Sequence, residues 1–195
     1  MDTHRSTSDH AVDGNTNGNF FSLSCTHTAP DNVGNPWWAV DMQQEECVGL
    51  VVLYNRADCC PERLAGAIVR VGSNPEYGQN PACMNRVPAS PDERIEIACY
   101  KSGQYISVEL PGSGVLTLCE VEATSCSGND KTDKRFWTHF VNVAANLGTP
   151  SEISLIGKPT SQSSTMDTHR STSDHAVDGN TNGNFFLSLL HTYST

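Results

Sequence analysis

Val48-Gly49-Leu50-Val51-Val52-Leu53-Tyr54-Asn55-Arg56-Ala57-Asp58-Cys59-Cys60-Pro61-Glu62-Arg63 joins an apolar run to a loop crowded with directional chemistry. The run from Val48 to Tyr54 reads as a buried strand, so its end is a rigid mount for the loop. Two arginines, the carboxylates of Asp58 and Glu62 and two adjacent cysteines then fall within nine residues. Each arginine offers a planar fork of donors that stays charged at any working pH. Asp58 lies between them and can orient one or both by charge-assisted hydrogen bonds. As a bare surface ion pair, an Arg-x-Asp arrangement contributes only about 0–1 kcal/mol. The cysteines alter that balance. Adjacent cysteines in an oxidising compartment either diverge to distant partners or close on each other, and the closed ring displays a flat, polarisable sulfur face. Such a face suits the apolar side of a sugar or of an aromatic ligand.

At 195 residues the chain can hold one domain of ordinary size and a remainder. A formal charge of −10 argues against nucleic acid or an anionic membrane as partner. No apolar run is long enough to span a bilayer. Eight cysteines without a Cys-x-x-Cys pair of zinc spacing point to disulfides and an extracellular setting. Residues 1–30 nevertheless lack the apolar centre of a signal peptide. A repeat resolves the conflict: MDTHRSTSDHAVDGNTNGNFF at 1–21 recurs unchanged at 166–186. The sequence thus reads as an excerpt of a tandem-repeat protein cut at both ends, with the signal peptide in the lost part.

Outward from the central loop, His10-Ala11-Val12-Asp13-Gly14-Asn15 carries turn chemistry, and the same Asp and Asn oxygens suit a hard cation. Phe20-Phe21 is read either as core or as exposed beside a site. Asn35-Pro36-Trp37-Trp38-Ala39-Val40-Asp41-Met42 is a strand with Trp37 or Trp38 inward. Strand character also marks 66–72, 94–99, 104–110 and 115–122, separated by Asn-Pro, Ser-Pro and Pro-Gly turns. Short strands with such punctuation predict an all-β sandwich or jelly roll. Residues 126–135 are polar, and Phe136, Phe140 and Val143 or Ala144 carry a weak helical spacing.

His27, Arg56-x-Asp58 and, after four intervening residues, Arg63 together resemble the signature of the F-type lectins, the fucose-binding agglutinins. Asp13-Gly14-Asn15, Ser24-Cys25-Thr26-His27, Asn35-Pro36-Trp37-Trp38, Cys59-Cys60 and Leu118-Cys119-Glu120-Val121-Glu122 support the resemblance independently. It runs from about Asp9 to Glu122 and implies a discoidin-like jelly-roll β-sandwich, related to the C domains of coagulation factors V and VIII. It also implies L-fucose and calcium. His27, Arg56 and Arg63 become the polar clamp on the sugar, with Asp58 as orienting carboxylate. Cys59–Cys60 becomes a vicinal disulfide stacked on the sugar, and Phe20 and Phe21 lie near its methyl group. The implied calcium ligands are Asp13 and Glu120, with oxygens from His10, Asn15, Ser24 and Cys119. Cys25–Cys119 and Cys83–Cys99 are the implied structural bridges.

Cys47 and Cys126 have no place in the family pattern; a mutual bond, free thiols or an intermolecular bridge all remain open. The interval from His27 to Arg56 is longer than the family's, and the extra length fits the loop from Thr28 to Gly34. The second copy keeps Asp178-Gly179-Asn180 but lacks the cysteines, the tryptophan pair and the arginine clamp, so it cannot bind sugar by itself.

The expected organisation is an F-type lectin domain at 1–125 lacking its first strand. A linker at 126–149 with a short helix comes next, then the start of a second repeat at 150–195. Residues 153–161 are expected to fill the vacant strand position, in this chain or in a neighbouring molecule. The expected function is calcium-dependent binding of terminal fucose on glycans, in innate immune recognition or agglutination, by a secreted protein. Oligomerisation or tandem-repeat avidity would strengthen it. The alternative is a discoidin-like adhesion module for protein or lipid surfaces. A glycosidase, with its two facing carboxylates, is not expected, because Glu120 is already assigned to calcium.

Overall fold

The computed structural model describes residues 6–29, 34–126 and 150–165. The 136–147 helix signal and the second copy at 166–186 lie outside the described residues. Among the described residues eight strands occur in chain order: β1 Thr26–His27, β2 Trp37–Tyr54, β3 Ile68–Gly72, β4 Arg94–Glu109, β5 Thr117–Leu118, β6 Glu120–Ser125, β7 Glu152–Ile153 and β8 Thr160–Gln162. Short 3-10 turns at Ser8–Val12, Phe20–Ser22, Pro61–Leu64 and Tyr77–Gln79 link them, with no α-helix among the described residues. The main sheet runs β3-β4-β2-β6-β7, with β8 also on β2, and β1 and β5 form a separate pair. All these pairings are antiparallel. These antiparallel sheets are the all-β sandwich anticipated from the strand pattern.

The expected short strands at 37–42 and 48–54 are one strand. In β2 the register against β4 shifts between Asp41 and Glu46, where Gln43 takes a left-handed conformation, φ 66°. The polar sequence from Gln43 to Glu46 faces solvent on this overhang, which hides the continuity from any hydrophobic pattern. β4 likewise fuses 94–99 with 104–110, irregular at Tyr100 (φ 51°). Of Trp37 and Trp38, Trp38 is the fully buried one, and its Nε1 donates to Ser8 O at 2.8 Å. Val40, Val51, Leu53, Val69, Ile106, Val108, Leu118 and Val121 complete the core around it.

β2 shares its second edge between two strands. β6 covers Leu50 to Tyr54, and β8 covers Trp38 to Val40. Leu155 is buried in the common core between β7 and β8. Residues 150–165 therefore fold back onto the same sandwich within one chain. Their backbone donors and acceptors satisfy an edge that would otherwise stand unpaired.

All eight cysteines are paired, as Cys25–Cys119, Cys47–Cys126, Cys59–Cys60 and Cys83–Cys99. Cys126 N donates to Cys47 O at 2.8 Å, so the pair left open by the sequence closes where β2 and β6 diverge.

Candidate functional site: the loop after β2

β2 ends at Tyr54 and delivers Asn55, which is buried and hydrogen-bonded through both side-chain heteroatoms. Its Oδ1 accepts from Arg56 N at 2.8 Å, its Nδ2 donates to Pro61 O at 3.0 Å, and its own N donates to Glu93 O at 2.8 Å. One side chain thus fixes both ends of the loop that carries Arg56 to Cys60. Cys60 adopts a left-handed conformation, φ 59°, just before the 3-10 turn that begins with Pro61. That turn carries Arg63, whose Nη1 reaches His27 Nε2 at 3.0 Å.

Arg56 is only 8% exposed. Its Nε and Nη2 donate to the two oxygens of Asp58 at 2.8 and 2.7 Å, a bidentate pair of fixed geometry. The hydrogen bond from Arg56, foremost, holds the Asp58 carboxyl at about 2, well below the usual carboxylate range. Asp58 Oδ1 also accepts from Phe20 N at 3.0 Å, and the Arg56 guanidinium lies 4.4 Å from the Phe20 ring centroid. Phe20 packs edge-on against both His27 (5.5 Å between centroids) and Phe21 (5.9 Å). Phe21 itself is 81% exposed. Neither phenylalanine belongs to the core cluster.

His27 stands on β1. Its Nδ1 donates to Thr28 O at 2.7 Å, which leaves Nε2 as an acceptor, and Nε2 receives Arg63 Nη1 at 3.0 Å. Burial, first, and the charges of Arg63 and Arg56 lower its pKa to about 4, with the Thr28 hydrogen bond opposing. The imidazole is neutral at physiological pH, an acceptor among donors. Although the loop before β2 is long, His27 faces the arginines.

On the other side of β1, residues 13–21 form a ladder of side-chain turns. Asp13 accepts from Asn15 N (2.8 Å), Asn15 from Asn17 N (3.2 Å), Asn17 from Asn19 N (3.0 Å) and Asn19 from Phe21 N (3.0 Å). Each carboxylate or amide oxygen thus satisfies the backbone two residues on. The ladder ends at the Phe20–Phe21 pair and so ties the acidic turn to the site. Glu120, at the start of β6, is 2% exposed and accepts from Gly14 N at 3.2 Å. Desolvation and then the charge of Asp13 push its pKa up to about 7. His10 lies in the first 3-10 turn with Nδ1 3.4 Å from Cys25 O, Ser24 Oγ donates to Asn17 O, and Cys119 is bonded to Cys25. Among the described residues no group of three or more His, Cys, Asp and Glu side chains is assembled for a metal. An ion here would rest on two carboxylates and on neutral oxygens.

Residues 10–108 match the family described as NedA-like, galactose-binding domain. The chain is 40% identical over 119 residues to Fucolectin-1 of Anguilla japonica, covering 59% of this chain and 66% of that protein. To Fucolectin of Anguilla anguilla it is 36% identical over 116 residues, covering 57% and 72%. A solved fucose binding module from Streptococcus pneumoniae superposes with a TM-score of 0.51 at 35% identity, over 63% of this chain and 89% of that one. The chain belongs to the F-type lectin (fucolectin) family. It spans 66% of the length of Fucolectin-1.

Within this F-type lectin chain the structure brings His27, Arg56, Asp58, Arg63 and Phe20 into one contact network, with Cys59–Cys60 in the same loop. Two contributors went unrecognised in the sequence. Asn55 is one; an Asn at a strand end six residues before a proline is a weak signal. Gly18 is the other: its carbonyl accepts from Ala57 N at 2.8 Å, and a Cβ on it would lie 2.7 Å from Ala57 Cβ. The Asp-x-Asn-x-Asn-x-Asn spacing of 13–19 was visible and announces the ladder that sets it there.

Proposed function

We propose that this F-type lectin chain binds terminal L-fucose on glycans through His27, Arg56 and Arg63, beside the Cys59–Cys60 face. The supporting observation is the arrangement of a neutral, acceptor-only His27 Nε2 among two guanidinium groups. A sugar hydroxyl is both donor and acceptor, so one hydroxyl can take the place of Arg63 Nη1 at Nε2, giving its proton to the ring while accepting from the released guanidinium. A polar clamp beside a dry wall fits a sugar edge that carries hydroxyls next to a methyl group. Phe20 and Phe21 supply apolar surface for that methyl. Asp58 prevents Arg56 from swinging away, so little side-chain entropy is lost on binding.

Calcium belongs to the same proposal. Asp13 and Glu120 set two carboxylates together, one of them buried, and that arrangement fits a hard divalent cation with oxygen ligands. Asp13, Glu120, His10, Asn15, Ser24 and Cys119 would hold it. The bound ion would neutralise the repulsion and fix the ladder that presents Phe20. The remaining parts of the reading are secretion, supported by four disulfides, and agglutination or innate immune recognition through several linked sites.

A discoidin-like adhesion module is the second reading, favoured by the exposed apolar side chains of Phe21 and Leu23. A glycan array with free fucose as competitor, run beside binding to neutral and anionic lipid vesicles, separates the two. Fucose-competed retention of fucosylated glycans is expected. Vesicle binding without glycan retention would favour adhesion.

A further inference from the structure

The His27 clamp depends on a short stretch of backbone. Residues 26–29 carry the imidazole and the Thr28 carbonyl that sets its tautomer, and every one of the four is tied down. Thr28 N donates to Leu116 O at 3.0 Å, and Thr28 Oγ1 accepts from Leu116 N at 2.9 Å. Thr26 and His27 pair with β5 and reach Ser6 O, and further ties lead to the segment C-terminal to the domain. Thr26 Oγ1 donates to Gln162 Oε1. Gln162 Nε2 lies within reach of Ser6 O (3.2 Å), Ser164 O (2.6 Å) and His27 O (3.4 Å), and Ser6 O in turn accepts from His27 N at 3.2 Å. Ala29 N donates to Ser164 Oγ at 3.0 Å.

β8 is held firmly enough to serve as the anchor. Beyond its pairing with Trp38, Ala39 and Val40, Asp41 N donates to Pro159 O at 2.9 Å and Ser163 N to Trp37 O at 2.9 Å. Thr160 Oγ1 meets Ser8 Oγ at 2.8 Å, and Gly157 N donates to Val12 O at 3.1 Å. One segment therefore joins the sheet edge, the N-terminal turn and the strand bearing His27.

We infer that residues 160–164 are a positioning element of the sugar site, with Gln162 and Ser164 the positioning residues that hold His27 in register against Arg63. This rests on the proposed binding of fucose. Thr165 runs directly into the second copy of residues 1–21. The segment that steadies one site is thus, in sequence, the lead-in to the next unit, and sugar affinity is coupled to the seating of that lead-in. A strand that served only the sheet edge would need neither the Gln162 side chain nor the Ser164 hydroxyl.

The test uses the full chain with Gln162→Ala and Ser164→Ala together, titrated with L-fucose by calorimetry while NMR tracks the ring nitrogens of His27. Fucose binding is expected to weaken roughly tenfold, about the worth of one lost hydrogen bond. The His27 Nδ1 signal is expected to move as its bond to Thr28 O loosens. Unchanged affinity and unchanged ring signals overturn the inference, even if the melting temperature falls. If the unaltered chain binds no fucose, the sugar reading fails by itself. The ring signals then decide, movement supporting the positioning role and its absence overturning it. Should the double variant not fold, Gln162→Glu keeps an oxygen toward Thr26 and removes the amide donor. The same shift is expected from it, and no shift overturns the inference.

Discussion

Arg63 Nη1 donates to His27 Nε2 across 3.0 Å, and the same ring donates from Nδ1 to Thr28 O across 2.7 Å. Both nitrogens are therefore assigned, and protonation has no place to go without breaking the contact with Arg63. The His27 pKa is lowered from 6.5 to about 4, chiefly by burial, so the ring stays neutral until acid conditions. Between those values the unfolded chain binds the proton and the folded chain does not. The stability contributed by neutral His27 is then complete above pH 6.5 and is lost as pH falls through about 4. Fucose affinity should be level from pH 7 to 5 and should collapse near pH 4, where Nε2 ceases to accept. Calorimetry across this range, beside an NMR titration of the ring, checks it. A ring that titrates near 6.5 would contradict the buried, arginine-flanked environment.

Arg63→Ala is expected to weaken fucose binding by about 1.5–3 kcal/mol, the worth of charge-assisted hydrogen bonds, with little change in melting temperature. Arg56→Ala should cost more, because it also leaves Asp58 unpaired and frees the Phe20 ring from the guanidinium 4.4 Å away. Titration calorimetry on folded variants decides between them. Full affinity in Arg63→Ala would remove the sugar site from this loop.

The fold class and the site loop were legible because their signals are local. A β-branched run, turn dipeptides and a dense Arg-Asp-Cys-Cys cluster can be read in one window. What escaped depends on residues far apart in sequence. β2 continues through Gln43 to Glu46 because β4 pairs with it on either side of the bulge, a contact the polar composition conceals. β1 is two residues long and exists through Leu118 and Thr117 opposite it. Gly18 acts by close backbone approach and Asn55 by side-chain bonds to Arg56 N and Pro61 O, neither of which carries a periodicity. The Cys47–Cys126 bond arises from where β2 and β6 part, not from any spacing of cysteines.

Gly18→Ala tests the approach of the acidic turn to the arginine loop. The added Cβ would meet Ala57 Cβ at 2.7 Å and Asn55 O at 2.9 Å, and backbone cannot yield as a side-chain tip can. Overpacking of this kind costs roughly 1–3 kcal/mol. The variant should melt at lower temperature and bind fucose more weakly, since Phe20 and Asp58 share the displaced segment. A variant with unchanged melting and affinity would show the two loops to be independent.

Calcium should act on stability before it acts on affinity. An ion held only by the folded state stabilises by RT ln(1 + [L]/Kd), so the melting temperature should climb with calcium concentration and fall on chelation. Glu120→Gln removes one of the two carboxylates and should abolish that dependence while relieving the repulsion from Asp13. Differential scanning calorimetry with and without chelator reads both. Melting that ignores calcium in the unaltered chain would refute the proposed ion.

The disulfides divide by what they do. Cys59–Cys60 spans a sequence separation of 1 and closes no loop of chain, so it constrains the unfolded state hardly at all. Cys47–Cys126 spans 79 residues, and closing a loop of that length contributes typically about 2–4 kcal/mol. Both pairs are half-buried, whereas Cys25–Cys119 and Cys83–Cys99 lie in the interior, so a mild reductant should reach the first two and spare the others. Replacing Cys59 and Cys60 together by serine should therefore weaken fucose binding through loss of the sulfur face, at nearly constant melting temperature. Replacing Cys47 and Cys126 together should lower the melting temperature and leave fucose affinity in place. The two double variants, compared by calorimetric titration and thermal melting, should give opposite patterns. If removal of Cys59–Cys60 leaves fucose affinity unchanged, the sulfur face is not part of the binding surface, and its place beside the arginines is structural.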